Sequence, residues 1–199
     1  MNYGDYAYIE YFPRGMFQFY PDTNLARSQQ IFQIWIRPVE SVEKAHFATR
    51  VAMYELNKLI KEGISRKDFE VTRTYLTKFV NILTKTQNRQ LGYALDSVYY
   101  GIGEYTKTMV DALSKITLDD VNKAIKKYLQ SENIKFVFIT KDAEDLKNRL
   151  VNNTTSKMIY RADKPDALME EDKIIENYKL DFEAEKVNIV PAEEVFLKQ

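Results

Sequence analysis

Between Arg37 and Ser41 the spacing of apolar residues changes, and that change limits what the chain can build. Before it, residues 6–12 and 30–37 are rich in Tyr, Ile, Phe and Trp and read as strands. In the second of these, Phe32, Ile34 and Ile36 fall on one face, while Ile31 and Trp35 share the other with Gln33. Apolar residues on both faces point to a central strand or to one whose second face is partly covered. After the change, apolar residues recur at helical spacing. Ser41 is placed to cap a helix running to about Glu62, with Ala45, Ala48, Ala52, Leu56 and Leu59 in one stripe and Gly63 as its stop. Ser65 and Asp68 open a second helix in the manner of a capping box, with Phe69, Leu76, Phe79, Val80 and Leu83 on one side. A third helix is expected over residues 87–100, ending at Gly101, and a fourth from about Glu104 to Lys115.

The stretch "TLDDVNKAIKKYL" is the clearest helix. Thr117 caps it, Asp119 and Asp120 complement its positive end, and Lys126 and Lys127 its negative end. Val121, Ala124, Ile125, Tyr128 and Leu129 form its apolar stripe. A strand is expected over residues 134–139, and "DAEDLKNRL" gives one more short helix. The reading is therefore α+β, with three strands against four or five helices. That is a thin sheet for so much helix, and it implies missing strands. Residues 1–153 form the domain, and residues 154–199 have no long periodic stretch. From Ala162 onward the tail carries eleven acidic and five basic residues, yet Ile174, Ile175, Tyr178, Leu180 and Phe182 equip it to dock as an extended arm.

Composition excludes more chemistry than it suggests. The chain balances 29 basic against 29 acidic residues, with no basic stripe of the kind nucleic acid requires. Its fourteen tyrosines could form a stacking platform, but they alternate along strands and stripe along helices as core residues do. There is no cysteine, so thiolate sites and disulfides are excluded. No apolar run is long enough for a membrane span. No Gly-rich phosphate loop and no Gly-x-Ser-x-Gly elbow occurs. The sole histidine, His46, has no second ligand at helical spacing, so it reads as a helix-face residue that packs or meets water. Among carboxylate pairs, Asp119–Asp120 is explained by capping, and Glu170–Glu171 and Glu193–Glu194 read as solvated tail charges. "VYYG" at residues 98–101 reads as packing at a helix end.

Several segments, taken in order, carry a resemblance. "NYGDYAYIEYF", "MFQFYPDTNLARSQQIFQIWIRPV", "LTKTQNRQLGYALDSVYYG", "ITLDDVNKAIKKYL" and the closing "EEDKIIENY…VNIVPAEEVF" resemble the C-terminal half of bacterial M16-type zinc-protease-like proteins, the insulinase and pitrilysin superfamily. The resemblance implies an antiparallel sheet with helices packed on one face, here lacking its first strands and helix. It implies a half without zinc, whose N-terminal partner half, in the same polypeptide or a separate subunit, carries the zinc and the proteolytic chemistry. It implies an unfolded peptide as substrate, no cofactor in this chain, and an exported bacterial location. The family's substrate-contacting Arg and Tyr map in part: Asn2-Tyr3-Gly4 matches the end of the motif, which assigns the tyrosine to Tyr3 and places the arginine before Met1. A phenol hydroxyl at a strand start can donate to a carbonyl gaining negative charge. Two other readings stay open: a structural scaffold homologue without proteolysis, and a module that binds extended peptides at a sheet edge.

Overall fold

Helices begin where a side chain can satisfy the free N–H groups of the first turn, and this sequence supplies one at nearly every start. The computed structural model describes residues 6–10, 23 and 31–195. Within them, the helices are α1 Val42–Glu62, α2 Arg66–Leu83, α3 Gln87–Tyr100, α4 Tyr105–Lys115, α5 Leu118–Tyr128, α6 Ala143–Val151 and α7 Asp166–Ile175. Ser65, Thr86, Glu104, Thr117 and Asp142 each accept from a backbone N–H of the helix that follows. Thr117 and Asp120 form a full capping box, in which the Thr117 hydroxyl takes the Asp120 N–H and the Asp120 carboxylate takes the Thr117 N–H at 2.9 Å. At Ser65 the hydroxyl accepts the Asp68 N–H at 3.1 Å and donates to the Asp68 carboxylate at 2.6 Å.

The expected α+β architecture is not what the chain forms. The described residues are mostly helical. Their strands are β1 Tyr6–Glu10 and β2 Ile31–Trp35, five residues each, which pair only with each other. No antiparallel sheet with helices on one face is present among the described residues. Residues 134–139, expected as a strand, join no ladder among the described residues. Alternation there is nevertheless plain: Ile134, Phe136 and Phe138 are half-buried, while Lys135, Val137 and Ile139 are exposed. A period of two selects an extended backbone, but a strand also needs a neighbour for its N–H and C=O groups, and sequence pattern cannot supply one. One helix went unforeseen: α7 follows Pro165, with Asp166 in its first turn.

The chain divides into two compact units, with the boundary inside α1 after Asn57. One comprises Trp35–Asn57 and Ser131–Gln199. Its buried apolar residues are Phe47, Ala48, Leu56, Leu146, Leu150 and Ile175. The other comprises Tyr6–Ile34 and Lys58–Gln130, with Phe69, Val80 and Tyr93 buried. In this second unit α4 packs against α2 and α3. The rings of Tyr93 and Tyr105 stack 4.0 Å apart, and Thr106 donates its hydroxyl to that of Thr84 at 3.2 Å. α5 was expected to bury five residues, yet none is fully covered, and Ala124 and Tyr128 are exposed.

Two helices stop at glycines in the left-handed region, Gly63 at φ 74° and Gly101 at φ 66°. Gly101 faces open space. A Cβ on Gly63 would run into the side-chain amide of Asn122 on α5. That amide cannot swing aside freely, because its oxygen accepts the Ile64 N–H at 2.9 Å. Gly101→Ala is therefore expected to cost only the backbone term, about 1–2 kcal/mol. Gly63→Ala is expected to cost more, which a pair of urea titrations would show.

Candidate functional site

The best-built polar cluster lies in the first unit, on the face of α1 that carries His46 and Arg50. One helical turn separates them, so both project to the same side. Both are 0% exposed, as is Ser156 from the segment after α6. The His46 Nδ1 and the Ser156 Oγ share a hydrogen bond of 2.7 Å. The Arg50 guanidinium donates through one terminal nitrogen to the Glu176 carbonyl at the end of α7, and through the other to the Asn153 carbonyl at 3.0 Å. The Glu176 carbonyl also accepts the Ser156 N–H at 3.2 Å, and the Asn153 side chain accepts the Leu180 N–H at 2.9 Å. Asn153 sits at φ 50°, in the left-handed region that asparagine tolerates better than most residues. Farther along α1, Asn57 donates to the Tyr178 hydroxyl at 2.7 Å and accepts from Ser131 at 2.6 Å. The Tyr54 and Tyr178 rings meet edge to face at 5.7 Å.

Among the described residues, the buried His46 Nε2 and Arg50 Nε have no hydrogen-bond partner. Burial holds the His46 imidazole neutral, its pKa pushed from 6.5 down to about 4, with the nearby Arg50 and Arg149 charges adding to the effect. Burial also lowers Arg50. A serine 2.7 Å from a histidine suggests a nucleophile and its base. Here neither group meets solvent, so no substrate can reach the hydroxyl, and the pair is structural. His46 is thus a packed residue. Its partner Ser156 lies 110 residues away, where no local spacing could have signalled it.

The remaining sequence candidates are scattered. Tyr3 lies outside the described residues. Asp120 serves the capping box, and Asp119 pairs with Lys123 at 2.5 Å. Glu170 pairs with Lys173, and Glu193 and Glu194 lie in a short turn of helix at Ala192–Glu194. The "VYYG" stretch does not pack as expected: Val98 is 83% and Tyr99 73% exposed. With Leu91, Leu95 and Ile102 they give α3 an exposed apolar stripe at helical spacing. A second exposed apolar feature is the extended stretch 134–140, where Val137 is 81% and Ile139 fully exposed. Its inward Phe136 packs against Phe138 and meets Phe182 of the tail edge-on at 4.9 Å. Among the described residues, no group of three or more His, Cys, Asp and Glu side chains could hold a metal ion.

No family model, curated protein or solved structure matches the chain. No helix among the described residues is long and apolar enough to cross a membrane.

The cluster makes a definite stability prediction. Arg50→Ala removes two charge-assisted bonds to buried carbonyls and is expected to cost about 3 kcal/mol or more. Ser156→Ala removes one bond and should cost about 1–2 kcal/mol. Chemical denaturation of the two variants checks both size and order.

Proposed function

We propose that this chain is the half without zinc of an M16-type peptidase, and that it helps enclose and position an unfolded peptide cleaved by the zinc-bearing half. The observation that supports this reading is the stretch 134–140. It is extended, alternates half-buried and exposed side chains, and has no ladder partner among the described residues. Its outward side chains Val137 and Ile139 stand in solvent. Exposed aliphatic side chains alternating with half-buried ones along one stretch make a surface that an added strand can cover. The apolar stripe on α3 is a second surface of the same kind, larger than scattered apolar residues would make. The order of the resembling segments supports the family reading. Activation of water by the metal belongs to the other half. This chain contributes shape, and Tyr3 near the substrate carbonyl.

Two experiments test this. Combined with its zinc-bearing half, the chain should support cleavage of an unstructured peptide, and Tyr3→Phe should lower turnover about 10²-fold, the usual cost of losing one donor to a developing oxyanion. Unchanged turnover would remove Tyr3 from the reaction, and no cleavage by the combined halves would favour the scaffold reading. Separately, Val137→Asp with Ile139→Asp should weaken association of the halves by about 10²-fold or more, since each buried aliphatic side chain contributes about 1.5–3 kcal/mol. Calorimetry or light scattering reads that change, with helix content by circular dichroism unaltered.

A further inference from the structure

His46 occupies an unusual position for a titratable group. It is fully buried, one ring nitrogen bonds Ser156, and the other has no hydrogen-bond partner among the described residues. The charges facing it all disfavour a second proton. Arg50 lies one turn along α1, and Arg149 approaches from α6. Arg149 is itself held by Asp145 at 3.0 Å and approached by Glu43 at 4.0 Å, so its carboxylate partners are engaged away from the imidazole. The segment that closes over the histidine brings the neutral Ser156 hydroxyl, and the Asn153 and Glu176 carbonyls there are taken by Arg50. An imidazolium at this place would carry an N–H with nothing to bond and a charge beside two guanidinium groups.

We propose that His46 is an acid-sensitive latch, whose protonation releases the segment 153–182 from α1 while the helices of the chain stay folded. The segment is suited to open as one region, its ends parting as it leaves α1. Its internal bonds, Ser156 N–H to the Glu176 carbonyl and Leu180 N–H to the Asn153 side chain, join its own ends together. Tyr160 is tied within it as well, donating to Asp172 at 2.7 Å. Its ties to α1 include the Ser156–His46 bond, the two Arg50 bonds, the Asn57–Tyr178 bond and the edge-to-face contact of Tyr178 with Tyr54. Outside α1, an exposed pair between Arg161 and Glu40 holds it at 2.6 Å, and Phe182 rests on Phe136. Several separable polar ties are a feature of a region that opens before the whole.

The sign follows from linkage. The released histidine titrates near 6.5 and the buried one near 4, so the closed state loses stability as pH falls below 6.5. Between pH 7 and pH 5 the equilibrium constant for opening should rise about twentyfold. The test is hydrogen exchange by NMR on the full chain, with each amide corrected for its intrinsic rate. The Ser156 and Leu180 amides should lose about twentyfold protection over that range, while the Leu56 and Val80 amides keep theirs. In His46→Gln, which keeps a hydrogen-bonding amide but cannot be protonated, the loss should vanish. Because His46 is the sole histidine, its ring resonances in the unaltered protein also report directly, with an expected midpoint near 4. A midpoint near 6.5, an equal loss of protection in His46→Gln, or simultaneous opening at Leu56 and Val80 would each overturn the proposal.

Discussion

One arginine organises the first unit. Arg50 is wholly buried, and its guanidinium spans two carbonyls, one from the turn after α6 and one from the end of α7. Burying such a charge is costly unless its donors are used, and carbonyl oxygens left over at helix ends are the natural acceptors. The interaction solves two problems together. It satisfies carbonyls that the helices cannot, and it draws segments more than a hundred residues distant in sequence onto one face of α1. The placement of Ser156, Tyr178 and Phe182 follows from that closure. So does the burial of His46 beside a permanent positive charge.

The second unit depends on different physics. Its helices are stopped by Gly63 and Gly101, started by hydroxyl and carboxylate caps, and held by aromatic stacking and a small apolar core. What it leaves uncovered is informative. α3 turns Tyr93 and Ser97 inward but presents Leu91, Leu95 and Val98 to solvent, so the helix is apolar on two sides. Its outer apolar face is one that a further surface can cover. In the first unit, Val137 and Ile139 likewise stand in solvent. These exposed apolar side chains are what supports the proposed role as one half of a larger enclosure.

Local chemistry made much of this legible beforehand. Ser41, Ser65, Glu104 and Thr117 mark helix starts, and Gly63 and Gly101 mark stops, because caps act over three or four residues. Of the stripe read on α1, Ala48 and Leu56 are buried, while Ala45, Ala52 and Leu59 are half-buried. The errors share a cause. Residues 134–139 have strand periodicity, but pairing is a property of two segments. The strong amphipathic pattern of α5 indicated a face to bury without indicating that any partner would cover it. Helix α7 was hidden because ten residues in an acidic tail carry little periodic signal.

The amino-acid sequence by itself determined where helices begin and end, that no thiol chemistry is possible, and that a single imidazole is all the chain has to titrate near neutrality. Only the tertiary structure decided what that imidazole does. It placed His46 against Ser156, 110 positions away, and set Arg50 between two remote carbonyls. The physical reason is range. Caps, turns and periodicity act within a few residues, whereas burial and the pairing of buried polar groups depend on which distant segments meet.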